Sequence, residues 1–223
     1  MDIEHNFTIW GSVCDCGTEC SILQNKVHPW DNISLIIRLV CPKCGNIVDI
    51  DRNKASKFYD QKIFSYYDNL YGTVMDLGCG GGLLTKHIIK NEDVTRIICI
   101  DNDESYHKQI NALSTTDRIQ YFNLNISNLT EYSRSKSIDF MICRDVCMFV
   151  DDTDKFFDDI SRIVIAGMRI MGWYIPDHKN MHNTLHPKEI CKEFNKRGWK
   201  TKLEYLNWYK SGYFISVEKS YKF

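Results

Sequence analysis

The chain has no apolar run of roughly 18 residues, so no segment reads as a helix able to span a bilayer. It has no excess of charge of one sign: 28 Lys and Arg stand against 29 Asp and Glu, a net of −1, so no global basic field exists to draw nucleic acid. The opening Met1-Asp2-Ile3-Glu4-His5 lacks the basic stretch and apolar core of a secretion leader, and a cytoplasmic location is the expectation. Internal repeats and low-complexity tracts are missing too. What is there is the composition of a globular protein, 43% hydrophobic and 26% charged. Its 223 residues suffice for one ordinary domain and a small appendage.

Cysteine is abundant, with ten in all. Cys14, Cys16, Cys20, Cys41 and Cys44 crowd the N-terminal part, while Cys79, Cys99, Cys143, Cys147 and Cys191 are scattered. In a reducing compartment such a cluster binds metal more often than it forms disulfides.

The richest signal is Val74-Met75-Asp76-Leu77-Gly78-Cys79-Gly80-Gly81-Gly82. An apolar run ends in a carboxylate, glycines follow at alternate positions, and a helical pattern opens at Leu83 and Leu84. This is a strand entering a tight turn and then a helix, the arrangement that holds a nucleotide-like ligand at the carboxyl edge of a parallel sheet. The dinucleotide fingerprint needs glycine at position 83, where Leu83 stands. A carboxylate just before the loop repels a pyrophosphate and suits an amine or a sulfonium.

Strands and helices alternate from there on. Strands are expected at Thr73–Leu77, Arg96–Asp101, Ile119–Asn123, Ile138–Arg144 and Arg169–Ile175, the last stopped by Pro176. Helices are expected at Leu83–Lys90, Glu104–Leu113, Asp154–Ile163 and Pro187–Lys196. Lys200–Tyr205 and Tyr213–Glu218 read as a closing hairpin, and Ser127–Ser137 as a polar stretch with at most a short helix. The pattern implies an α/β doubly wound, mostly parallel seven-stranded sheet with an antiparallel edge. Apolar residues from Phe58 to Leu70 lie on one helical face, so residues 54–70 read as a linker helix. Two domains follow: a cysteine-rich module over 1–53 and a ligand-binding domain over 54–223.

In open α/β sheets ligands sit over the carboxyl ends of the strands. Asp101, 25 residues after Asp76, closes the second strand and can accept hydrogen bonds from ribose hydroxyls. His178, His182 and His186 recur at spacings of four, but Pro176, Asn180, Asn183 and Pro187 favour a loop over a metal-binding helical face. A loop there flanks the acceptor pocket, and one of its histidines, with His178 put first, is a candidate base or substrate contact.

From about Tyr59 to its end the chain resembles the class I S-adenosylmethionine-dependent methyltransferases, whose first motif has the form D-x-G-x-G-x-G carried here by Asp76, Gly78, Gly80 and Gly82. The resemblance implies a Rossmann-like methyltransferase fold. It implies a methyl-donor site made of Asp76, Gly78, Cys79, Gly80, Gly82, Asp101, Asn102, Asn125, Ile126 and Arg144. The family carries an acidic residue after the third strand for the adenine amine; Asn125 stands there, and its carbonyl can accept while its amide donates. The family places the end of the fourth strand, Cys143-Arg144-Asp145-Val146, beside the methyl group, which makes Asp145 the candidate carboxylate at the transfer point. The Leu-Glu-His-like triplet of many small-molecule members is replaced by Cys147-Met148-Phe149, so no histidine base is available at that position.

The two cysteine knuckles have the layout of a zinc ribbon. Cys41-Pro42-Lys43-Cys44-Gly45 is a standard half-site between two strand-like runs, and Cys14-x-Cys16 is a shorter one. A structural four-thiolate zinc site from Cys14, Cys16, Cys41 and Cys44 is the first choice, with Cys20 as the alternative ligand. Similar modules help some ribosomal-RNA guanine methyltransferases hold RNA, but residues 1–60 carry six basic against eight acidic side chains, which argues against phosphate tracking. The expectation is a methyltransferase acting on a small molecule. Alternatives are an RNA or protein methyltransferase that uses the cysteine module for recognition, and a non-catalytic binding protein on the same fold.

Overall fold

The computed structural model describes residues 8–13, 16–22, 36–51, 60–113, 117–129, 137–175, 181–206 and 212–219. The chain divides into two compact units, residues 1–66 with 205–212 and residues 67–204 with 213–223.

The first unit holds a four-stranded antiparallel sheet in the order β1 (Thr8–Val13), β2 (Glu19–Ile22), β3 (Ile36–Val40), β4 (Ile47–Asp51). Strand β2 is additional to the strands read from the sequence. The β3–β4 register, Ile36↔Asp51 to Val40↔Ile47, leaves Cys41 to Asn46 as the connecting turn. That turn closes through Cys41 N–H to Asn46 O at 2.8 Å and Gly45 N–H to Cys41 O at 2.9 Å. Because β2 runs antiparallel to both neighbours, the β1–β2 turn with Cys16 lies at the same sheet end as the Cys41–Cys44 turn. Further along, residues 60–64 are helical and Ser65–Tyr67 form a 3-10 turn. The linker helix expected over 54–70 is thus shorter at its C-terminal end, and residues 52–59 lie outside the described residues.

A second sheet is built from β5 (Gly72–Leu77), β6 (Val94–Asp101), β7 (Ile119–Asn123), β8 (Ile138–Arg144), β9 (Val164–Trp173), β10 (Trp199–Leu206) and β11 (Gly212–Lys219), all in the second unit but for the ends of β10 and β11 at residues 205, 206 and 212. Their order in the sheet is β10-β11-β9-β8-β5-β6-β7. The pairs β5–β6, β6–β7, β5–β8 and β8–β9 are parallel. With so short a connection, β10 and β11 can pair only as an antiparallel hairpin, since parallel neighbours need a crossover. The chain moves outward from β5 through β6 to β7, then returns to lay β8 on the other side of β5. That reversal opens a crevice at the carboxyl ends of β5 and β8, where ligands of such sheets bind.

Alternation explains the burial. Met75 and Leu77, Ile98 and Ile100, Met141 and Cys143, Met168 and Ile170 share one face and pack with Phe156, Phe157, Ile160 and Phe194 from the helices α3 (Thr153–Ile163) and α4 (Pro187–Lys196). Val74, Asp76, Ile97, Cys99, Phe140 and Ile142 are buried on the opposite face. Burial on both faces is why these strands read as near-continuous apolar runs. Helix α3 starts where the Asp152 carboxylate accepts from Lys155 N–H at 3.0 Å. Helix α4 starts with Pro187 at its first turn and a capping box, His186 Nδ1 accepting from Lys188 N–H and Glu189 accepting from His186 N–H.

Two elements depart most from the sequence expectation. Strand β9 begins at Val164 rather than Arg169, directly after α3, and stops at Trp173. Gly167, a weak strand signal, sits inside it because β11 approaches closely: a Cβ there would lie 2.7 Å from Val217 O. The helix read over Glu104–Leu113 is a 3-10 turn, Glu104–Tyr106, followed by α2 (His107–Asn111). Among the described residues no helix is long and apolar enough to cross a membrane.

Candidate functional site

The glycine turn runs from β5 into α1 (Leu83–Ile88). Two amides tie it to the neighbouring strand, Gly78 N–H to Ile100 O at 2.7 Å and Cys79 N–H to Ile100 O at 3.1 Å. Gly78 has φ +67 and faces Val146, whose Cγ2 would stand 2.4 Å from a Cβ at this position. Gly80 has φ +48, and nothing lies within 4 Å of where its Cβ would be. One glycine is therefore demanded by packing, and the other keeps open space beside the backbone. Gly82 is buried at the N-cap of α1.

Asp101, at the end of β6, is bound into this turn. Its Oδ2 accepts from Gly80 N–H at 2.8 Å, and its Oδ1 accepts from Asp103 N–H at 3.1 Å. A carboxylate has about four acceptor sites, so two remain for a ligand. Asp76 is only 1% exposed, and its Oδ2 accepts from the Thr85 hydroxyl of α1 at 2.6 Å. Burial pushes its carboxyl up to about 6, with the Thr85 hydrogen bonds and Arg144 opposing the shift and Asp101 adding to it. Next door, the Cys79 thiol is pushed far up by its hydrogen bond with Cys99 and by burial, so it stays protonated and is no nucleophile.

Two cavities meet at Gly78 and Arg144. The first, of about 390 Å³, is lined by Asp101, Asn102, Asn125 and Ile126 from the β6 and β7 ends and by Arg144, Asp145, Val146, Phe149, Asp151 and His182 from beyond β8. The second, of about 360 Å³, runs along the glycine turn past Asp76, Cys79, Gly80, Leu83, Leu84, Lys86 and Tyr106. Of the residues singled out from the sequence, Asp76, Gly78, Cys79, Gly80, Asp101, Asn102, Asn125, Ile126, Arg144 and Asp145 thus line these two cavities, and Gly82 lines neither. His178 lies outside the described residues.

Asp145 has φ +59, a left-handed conformation that L residues other than glycine adopt at a cost. It sits just past the last β8 residue, its N–H still donating to Met171 O at 2.9 Å and its Oδ2 3.9 Å from Arg144 Nε. Asn125 caps a 3-10 turn, its Oδ1 accepting from Ser127 N–H at 2.9 Å. Behind the β8 end, the buried Tyr67 hydroxyl donates to Cys143 O at 2.8 Å and fixes that strand terminus.

Sequence reading missed Phe149, Asp151 and Tyr106 as lining residues and saw His182 only as one of three spaced histidines. The structure describes two of those histidines, and they do different things. His186 is used to cap α4, while His182 Nδ1 lies 3.1 Å from Asp151 Oδ1. Among the described residues the one group with metal-ligand geometry is in the first unit: the sulfurs of Cys16, Cys41 and Cys44 lie within 4.8 Å of one another, Cys16 and Cys41 at 3.5 Å. The amides of the turn, Cys44 first, hold the Cys41 thiol below its ordinary value. Cys14 lies outside the described residues, and Cys20 is in β2.

Residues 75–171 match a family model described as a methyltransferase domain. Solved structures match more widely. An O-methyltransferase family protein from Burkholderia thailandensis is 16% identical with a TM-score of 0.59, over 75% of this chain and 58% of that one. The present chain therefore spans little more than half the length of that relative. The magnesium protoporphyrin IX methyltransferase from Synechocystis, solved with bound SAH, is 15% identical with a TM-score of 0.54, over 76% of this chain and 85% of that one. The YcgJ protein from Bacillus subtilis is 10% identical with a TM-score of 0.59, over 74% of this chain and 99% of that one. The search of curated proteins finds no match. At these identities the structural likeness shows the fold, which is that of the class I methyltransferases, and fold alone does not name a substrate.

Proposed function

We propose that the chain transfers a methyl group from S-adenosylmethionine to a small-molecule acceptor. The observation that carries this reading is the pairing of Asp101 with the open glycine turn: its carboxylate is fixed by Gly80 N–H, and the Gly80 Cβ position is empty space on a cavity wall. The residues fit the methyl donor. Asp101 and Asn102 would take the ribose, Asn125 and Ile126 the adenine, and Gly78, Gly80 and the buried Asp76 the amino-acid end with its ammonium group. Four carboxylates against Arg144, Lys86 and His182 make a space that favours a cationic ligand over a pyrophosphate.

When bound, S-adenosylmethionine supplies a methyl group already activated by its sulfonium. The protein's task is then alignment and water exclusion. Val146 and Phe149 supply the apolar wall on the acceptor side. Asp145, held in a strained conformation at the end of β8, presents its carboxylate to the same cavity, where it orients a polar acceptor group. A cavity of about 390 Å³ is of a size that suits a small molecule.

The test is transfer of labelled methyl from S-adenosylmethionine to a panel of small acceptors, with RNA and protein as further arms. Transfer to a small molecule supports the reading. Labelling of RNA or protein alone would move the assignment to a macromolecular substrate.

We further propose that Cys16, Cys41 and Cys44 hold a structural zinc ion, with Cys14 or Cys20 as fourth ligand. Three thiol sulfurs converge on two turns at one end of a small sheet, where a bound ion would add stability that so small a segment cannot draw from its own core.

A further inference from the structure

Resting on the methyl-transfer reading, we infer that His182, oriented by Asp151, is the general base of the reaction, and that the acceptor is a small amine. The segment 181–186 is pinned to the turn after β8. His182 N–H donates to Met148 O at 2.8 Å, and the Asn183 side-chain amide donates to Cys147 O and Val150 O, each at 2.8 Å. These three bonds set His182 beside Phe149, whose ring it meets edge to face at 5.7 Å, on the wall of the 390 Å³ cavity. Its Nδ1 lies 3.1 Å from Asp151 Oδ1. The tautomer that carries its proton on Nδ1, the nitrogen beside that carboxylate, offers the Nε2 lone pair as the proton acceptor. This is the orienting logic of a base held in one tautomer by a carboxylate.

The charges on this side of the cavity choose the acceptor. Asp145 and Asp151 face it with His182, and Asp101 lies across it, while the one guanidinium, Arg144, stands 3.9 Å from Asp145. Such a wall repels a carboxylate or a phenolate and attracts an ammonium group. An ammonium has no lone pair to give, so it must lose a proton first. His182 Nε2 takes that proton. The nitrogen lone pair then forms the N–CH3 bond as the S–CH3 bond breaks, and the electron pair of the broken bond stays on sulfur. The His182 proton leaves to solvent, which reaches the half-exposed ring.

The experiment uses the full chain and a panel of primary and secondary amines, phenols and carboxylic acids, with SAH titration run alongside. Amines are expected to accept the label. An amine panel left unmethylated by protein that binds SAH overturns the amine assignment, whereas failure to bind SAH overturns the underlying reading of the donor site. With a productive amine, His182→Ala is expected to lose about 10²- to 10⁴-fold in kcat/KM with SAH affinity unchanged, and added imidazole should restore part of the rate. Asp151→Asn should lower kcat more than it raises KM and should alter the acid limb of the pH profile, since it acts through His182. A His182→Ala enzyme within a few-fold of the parent, or one whose pH profile keeps its acid limb, overturns the base assignment.

Discussion

Gly80→Ala separates binding from folding at a single methyl group. No protein atom lies within 4 Å of the added Cβ, so the folded protein meets only the strain of φ +48. That strain costs about 1–2 kcal/mol for an L residue in the left-handed region. In a chain of 223 residues it lowers Tm by about 2–8 °C. The methyl group projects into the cavity along the glycine turn, where the donor site requires backbone without a side chain. Overfilling such a contact costs about 1–3 kcal/mol, or about 5- to 150-fold in affinity. Gly198→Ala is the control. Gly198 has φ +81, open space at its Cβ position and no part in either cavity, so it carries the same backbone strain. Thermal melts and SAH titrations of both variants supply the comparison: similar falls in Tm, with weakened binding in Gly80→Ala only. Equal SAH affinity in the two variants would refute the placing of the ligand against Gly80.

Other outcomes follow from the same geometry. Asp101→Asn keeps an acceptor for Gly80 N–H but loses the charge, and SAH affinity should fall about 10- to 150-fold for a lost charge-assisted bond of about 1.5–3 kcal/mol; titration calorimetry checks it. Asp76 is raised from 3.8 to about 6, so the folded protein binds the extra proton and Asp76 costs stability as pH rises from about 4 through 6. That cost reaches about 3 kcal/mol above pH 6, so Asp76→Asn should gain on the parent in denaturant melts at pH 7.5 and show no such gain at pH 4. Metal analysis of chelator-free protein should find one zinc per chain, and Cys41→Ser should lower the content and the Tm together. Phe157 is 1% exposed and meets the rings of Phe156 and Phe194, so Phe157→Ala should cost about 3–5 kcal/mol in urea melts.

How much of this was legible in the sequence depended on whether local pattern or tertiary contact decided each feature. Strand β8 was readable residue for residue, because burial on both faces writes itself as an apolar run. The place of Asp101 beside the glycine turn was readable because two parts of one fingerprint fall at a fixed distance along the chain. The start of β9 was not, since Gly167 is a strand residue only through the approach of Val217 O from a partner strand far along the chain. Nor was the choice among the three spaced histidines. His186 caps a helix and His182 meets Asp151, and both outcomes depend on where the 181–186 segment is pinned, through Asn183, to the turn after β8. Asp145 was suggested by its place after the fourth strand, whereas its left-handed backbone is a fact of three dimensions.

The central claim is that this cradle takes the methyl donor and not a dinucleotide. Calorimetric titration of the full chain with SAH, and in parallel with NAD, tests it directly. One SAH bound per chain and no heat with NAD is the expected result. Binding of NAD, or no binding of SAH, would contradict it.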